Sequence, residues 1–215
     1  MRKSSTDGSA SKRSYGQYCG LARALDVVGG RWSLLIVREL LVGPARYGQL
    51  QAGLPGIATN LLAQRLRELE EAGVVERTLD TESNGVAYML TPWGHELRDT
   101  VAALVNWSSP LMITGPQGDA FQGHWLVVAV DSLLRDKRFD ESVTVGLAVD
   151  DVIVSVHVGR TGARVELCGD TVPDTVFRGD PAIVLGLASG MLPIEQAVAG
   201  GELTGRAADL AVAFG

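Results

Sequence analysis

Leu54-Pro55-Gly56-Ile57-Ala58-Thr59-Asn60-Leu61-Leu62-Ala63-Gln64-Arg65-Leu66-Arg67-Glu68-Leu69-Glu70-Glu71-Ala72-Gly73 is the stretch that decides the fold. Pro55-Gly56 is a pair that marks a turn. Beyond it, Leu62, Leu66 and Leu69 recur at i, i+4 and i+7, the spacing of one face of an α-helix. Gly73 can adopt the left-handed conformation in which helices commonly end. Opposite the leucines stand Asn60, Gln64 and Arg67, with Thr59 and Ala63 beside them. A shorter element, Tyr47 to Gly53, precedes the turn. Helix, tight turn and amphipathic helix make a helix-turn-helix, whose second helix is the one shaped for a DNA major groove. Taken alone, a leucine stripe with charges opposite also describes any solvated surface helix, so the flanking segments decide.

Downstream, Val74 to Arg77 and Val86 to Leu90 read as two strands, joined by a polar loop that contains the hairpin pair Asn84-Gly85. Thr91-Pro92 then opens a helix, with Thr as N-cap and Pro in the first turn, running to about Ser108. Upstream, Cys19 to Val28 reads as a helix broken by Gly29-Gly30, and Trp32 to Leu41 as an apolar core helix ended by Gly43-Pro44. Helices, a hairpin and a closing helix in this order describe a winged helix.

The segments Tyr18 to Trp32, Arg38 to Pro44, the Leu-Pro-Gly-Ile turn, the Arg-Leu-Arg-Glu-Leu-Glu helix and Leu90-Thr91-Pro92-Trp93-Gly94 together resemble the HxlR-type, MarR-like transcriptional regulators of bacteria. The resemblance implies a cytoplasmic homodimer, more often repressor than activator, that binds an inverted-repeat operator in double-stranded DNA. It also implies contacts across a two-fold axis between the N-terminal helix and the helix after Thr91. Thr59, Asn60 and Gln64 are the candidates for base edges, Asn and Gln pairing best with adenine. Arg65 and Arg67 are candidates for phosphate or guanine. Arg31, Arg46 and Arg77 are candidates for the DNA backbone, although solvated surface arginine describes Arg31 and Arg46 equally well. Ala58 stands where relatives carry a Ser or Thr cap, so either Thr59 caps the helix or the helix starts uncapped. The wing tip, Asp80 to Gly85, is acidic and should add little affinity for phosphate. Cys19 occupies the position of a reactive cysteine in redox-sensing members, with Arg23 one turn later. A small buried thiol is the alternative reading.

Composition sets the bounds. The 215 residues are 46% hydrophobic and 20% charged, typical of a globular chain. No apolar run reaches the ~18 residues of a membrane span, so no membrane association is expected. Two distant cysteines make no disulfide framework. The net charge of −6 is unevenly placed: residues 1–110 carry 12 Lys and Arg against 11 Asp and Glu, whereas residues 111–215 carry 7 against 14. The acidity belongs to the C-terminal half, and the N-terminal half, near neutral, should bind DNA non-specifically only weakly.

The expected organisation is α+β: a disordered tail at 1–14, a winged-helix DNA-binding and dimerisation domain at 15–110, a linker at 111–120 and a ligand domain at 121–215. In the last, Phe121 to Leu134 reads as a helix. Val143 to Val149, Val152 to Val158 and Ala163 to Leu167 read as strands, with turns at Asp150-Asp151 and Gly159 to Gly162. Gly179-Asp180-Pro181, Gly186-Leu187-Ala188-Ser189-Gly190 and Ile194 to Gly205 resemble the sterol-carrier-protein-2-like fold. That resemblance implies an apolar tunnel for a lipid-like small molecule, with Trp125, Phe139, Val156, Leu185, Leu187, Met191 and Leu192 as candidate lining; each also reads as ordinary core.

His95, His124 and His157 fall in separate elements without metal-ligand spacing, and neither a phosphate-cradling loop nor a nucleophile elbow is present. No cofactor, metal or enzymatic activity is expected. Three functions remain open: a DNA-binding regulator controlled by a hydrophobic ligand, a thiol-redox regulator acting through Cys19, and a lipid-binding carrier whose winged helix serves only protein contacts.

Overall fold

The leucine stripe is the reason the N-terminal unit closes: Leu62, Leu66 and Leu69 are each at most 1% exposed in the computed structural model, which describes residues 14–80, 85–112 and 114–215. They lie on α4 (Thr59–Glu71) and pack with Ile36, Val37 and Leu40 of α2 (Ser33–Val42), the most completely buried helix of this unit. Full burial of each such side chain contributes about 1.5–3 kcal/mol. Before α2 comes α1 (Gly20–Val28), and between them Trp32 sits in the left-handed region at φ 82°, turning the chain sharply after Gly29-Gly30. After α2 follow a two-residue strand, β1 (Ala45–Arg46), and α3 (Tyr47–Gly53). The expected turn between α3 and α4 is present, with Gly56 at φ +87°. β1 was not evident from its two residues. It exists because β3 (Gly85–Leu90) offers its free edge, giving an antiparallel sheet in the order β1-β3-β2 with β2 (Val75–Asp80).

The wing register pairs Val75 with Leu90 and Arg77 with Tyr88. The wing-tip residues Thr81 to Asn84 lie outside the described residues, as do the first thirteen of the tail. The helix expected after Thr91 is two: α5 (Pro92–His95) and α6 (Leu97–Met112). Thr91 caps the first, its hydroxyl accepting from the amide of Gly94 at 3.0 Å. Gly94 is obligatory, since a Cβ there would lie 2.1 Å from the carbonyl oxygen of Val74. α6 runs through Pro110 to Met112, so the segment that reads as the start of a linker is the helix's last turn. A proline so near the C-terminus deprives only that turn of one hydrogen bond.

The C-terminal unit begins with a 3-10 turn (Gly123–Trp125) and α7 (Leu126–Leu134), a shorter helix than the apolar run suggests. β4 (Val143–Val149), β5 (Val152–Gly159) and β6 (Gly162–Leu167) form an antiparallel meander; β7 (Thr175–Arg178) pairs parallel to β4, and β8 (Glu202–Thr204) antiparallel to β7. Strand order is therefore β6-β5-β4-β7-β8. α8 (Pro181–Ser189), α9 (Ile194–Ala199) and α10 (Ala207–Phe214) join α7 in a core that includes Val145, Leu147, Val156, Phe177 and Leu210.

The two cores touch. Val42 of α2 packs against both, and Val128 of α7 is buried in the N-terminal one. At the joint Glu39 of α2 is 6% exposed. Its carboxylate accepts from Trp125 Nε1 at 2.8 Å and from Arg38 Nη2 at 2.6 Å, and meets His124 Nε2 at 2.7 Å. The Arg38 guanidinium lies 4.0 Å over the Trp125 ring. Gln122 donates to the carbonyl of Ala52 at 2.8 Å, tying the C-terminal unit to the end of α3. No helix of the described residues is long and apolar enough to cross a membrane.

Candidate nucleic-acid interface

A helix that buries three leucines on one side must present its polar residues on the other. On α4, Thr59, Asn60, Gln64 and Arg67 are all exposed, spread over about 12 Å of helix. Ala58 is the N-cap and provides no side-chain hydrogen bond, so the helix starts uncapped. The helix start is held from α3 instead: Tyr47 donates its hydroxyl to the carbonyl of Thr59 at 2.5 Å, and Gln51 Nε2 donates to the Thr59 hydroxyl at 2.7 Å, although neither bond serves the amides a cap would serve. These two bonds set the angle between the helices. Neither Tyr47 nor Gln51 stands out in the sequence as a positioning residue, because their partner lies 8 to 12 positions away across a turn.

Along α4, Gln64 Nε2 donates to Glu68 Oε1 at 2.8 Å, and Arg65 pairs with the other oxygen of Glu68. Partial burial pushes the Glu68 carboxyl upward, but the hydrogen bonds from Gln64 and Arg65 and the charges of Arg65 and Arg67 outweigh it and hold the group below its ordinary value. Arg65 also donates Nε to the carbonyl of Arg31 at 3.2 Å, and its side chain is only 21% exposed. Arg65 thus fastens α4 to the turn before α2, whereas Arg67 stands out in solvent. The i, i+4 and i, i+3 spacing of Gln64, Arg65 and Glu68 was legible in the sequence.

The flanking arginines are arranged around this face. Arg31 is exposed and sits 5.6 Å over the Trp32 ring; Arg46, exposed, occupies the N-cap of α3, where its amide donates to Gln49 Oε1 at 2.7 Å. Arg77 is gripped by both oxygens of Glu70, at 2.9 and 3.0 Å, and this pairing raises its pKa above the ordinary value. It can meet a phosphate only by sharing or releasing Glu70.

Cys19 is exposed at the N-cap of α1, and the amides of Ala22 and Leu21 draw its thiol below the ordinary value. Cys168 is half-buried, its thiol 3.4 Å from the carbonyl of Thr171. A cavity of about 650 Å³ opens between α1 and the α5–α6 junction, where Val27, Val74, Trp93 and Leu97 meet Asp26 and Glu96. Large apolar side chains are exposed along α1 and α6: Leu21 at 69%, Trp107 at 76% and Leu111 at 71%.

The residues expected to line an apolar tunnel lie in differing surroundings. Val156 and Leu187 are in the closed core; Leu185 and Leu192 pack at its margin; Met191 is 59% exposed; Trp125 belongs to the Glu39 joint. Phe139 borders a surface cleft of about 390 Å³ whose other lining includes Lys137, Arg138, Asp140 and Glu141. The open cleft is too charged for the tail of a lipid.

The sequence profile of the HxlR-like helix-turn-helix family matches residues 27–114. An uncharacterized HTH-type transcriptional regulator of Synechocystis, sll1512, is 38% identical over 90 residues, covering 41% of this chain and 67% of the relative. The uncharacterized HTH-type transcriptional regulator YtcD of Bacillus subtilis is 34% identical over 119 residues, covering 55% and 90%. Among solved structures, the redox regulator HypR in its oxidized form is 30% identical with a TM-score of 0.40, covering 43% of this chain and 96% of that one.

Proposed function

The chain belongs to the HxlR-like helix-turn-helix family of transcriptional regulators, and from that premise we propose that it is a homodimeric repressor reading an inverted-repeat operator with the outer face of α4. The observation that carries this reading is the face itself. Thr59, Asn60, Gln64 and Arg67 are exposed together above a fully buried leucine stripe, and α3 holds the helix by its first residue. Arg31 and Arg46 flank the face and supply backbone contacts. The exposed apolar residues of α1 and α6 are the proposed dimer surface, since large apolar side chains left in solvent on two helices suit a partner copy. A symmetric dimer presents two α4 helices to half-sites about one duplex turn apart.

The C-terminal unit supplies none of the DNA face yet is locked to α2 and α3 through Glu39 and Ala52. We assign it the regulatory role: an effector held by this unit would favour one setting of the joint over another. The test is fluorescence anisotropy of duplexes from the gene's own promoter. Arg31→Ala should weaken every duplex alike by about five- to tenfold, because a phosphate contact carries no sequence information. Absence of binding to any promoter duplex at low salt would instead favour a carrier without DNA activity.

A second reading rests on Cys19. Its exposure and the amides that lower its pKa are the conditions for a reactive thiol at the proposed dimer surface. Under this reading Cys19→Ser abolishes a DNA-binding response to oxidants.

A further inference from the structure

The side-chain amides on α4 have their polarity set before any DNA arrives. A backbone N–H can only donate, so the oxygen of Asn60 must be the atom that meets the amide of Leu61, 2.9 Å away. Both N–H groups of Asn60 are left for solvent. At Gln64 the logic reverses. An ionised carboxylate can only accept, so Nε2 of Gln64 is the atom facing Glu68 Oε1 at 2.8 Å. One N–H of Gln64 is spent there, and its carbonyl oxygen keeps both lone pairs. Neither orientation depends on an arbitrary choice between amide nitrogen and oxygen, because each partner has one polarity. The two residues lie one turn apart, about 6 Å along the axis, within reach of the same half-site.

We infer that Glu68, which faces no base itself, is a specificity-determining residue: by holding the Gln64 amide it makes Gln64 an acceptor, matched to bases whose major-groove edge carries an amino group. Asn60 is the complementary donor, matched to edges that carry N7 or a carbonyl oxygen. In the major groove, adenine and cytosine present amino groups, guanine and thymine carbonyl oxygens. The half-site therefore has adenine or cytosine opposite Gln64, with adenine favoured by the remaining N–H. Asn60, with one of its oxygen's two lone pairs facing the Leu61 amide, is the weaker acceptor of the two amides. This inference rests on the proposed DNA-binding reading and adds to it the code that α4 reads.

The experiment is in vitro selection of the full chain against a randomised duplex library, with Gln64→Ala, Glu68→Lys and Glu68→Ala run in parallel. The unsubstituted chain should enrich one position per half-site for adenine or cytosine over guanine or thymine by about five- to tenfold, the worth of one hydrogen bond. Gln64→Ala should flatten that position and no other. Glu68→Lys replaces an acceptor by a donor, turns the amide round, and should switch the same position to guanine or thymine. Glu68→Ala leaves the Gln64 amide without its fixed acceptor and should cut the discrimination to about twofold or less. A Glu68→Lys chain that fails to fold leaves the decision with Glu68→Ala. An enriched motif whose bases are the same with and without Glu68 overturns this inference and leaves DNA binding intact. No enriched sequence at all overturns both.

Discussion

At the scale of the residue, Cys19 gives the sharpest pH expectation. The neighbouring amides favour its thiolate, so its pKa lies below the ordinary value and the reactive form persists to lower pH. Alkylation by iodoacetamide followed by mass spectrometry should rise with pH to a plateau whose midpoint lies below the ~8.5 of an unperturbed thiol. A midpoint at or above that value would contradict the account. The arginines show why single residues are hard to assign from sequence. Arg65 and Arg67 are two positions apart with the same chemistry, yet one is bound to Glu68 and the carbonyl of Arg31 while the other faces solvent. Helical periodicity places Arg67 opposite Leu62, Leu66 and Leu69. It leaves Arg65 at the margin, where only a contact 34 residues away decides its orientation.

At the scale of the element, legibility followed the range of the interactions. α4, the turn at Gly56 and the Thr91-Pro92 helix start are each fixed by neighbours within a few positions, the β4–β5–β6 meander is marked by its turns and alternating strands, and each is found where the sequence places it. The strand β1 and the α3–α4 clamp depend on partners across a turn or farther along the chain. The joint at Glu39 is the extreme case, with partners 85 and 86 residues distant. A carboxylate inside an apolar run reads as an interruption in sequence and proves to be the acceptor that fixes the C-terminal unit. Removing one partner of such a buried charged cluster costs about 3–5 kcal/mol, since Arg38 stays charged and Trp125 loses its acceptor. Glu39→Ala should therefore lower stability by that amount. Calorimetry should also show one unfolding transition becoming two as the cores at Val42 and Val128 separate. A loss below about 1 kcal/mol with a single transition would mean that Glu39 is not what couples the units.

At the scale of the whole molecule, charge and shape divide the work. In the proposed reading the acidic C-terminal half carries no DNA face, and the near-neutral N-terminal half contributes a few arginines in place of a basic surface. On that proposal affinity comes from geometry: two copies of α4 at a fixed separation, each presenting the same polar row. Hydroxyl-radical footprinting on the operator recovered from selection tests this most directly. The account predicts two protected patches of equal strength, related by a two-fold axis and centred about one helical turn apart. A single protected patch, or two whose spacing varies among operators, would contradict it.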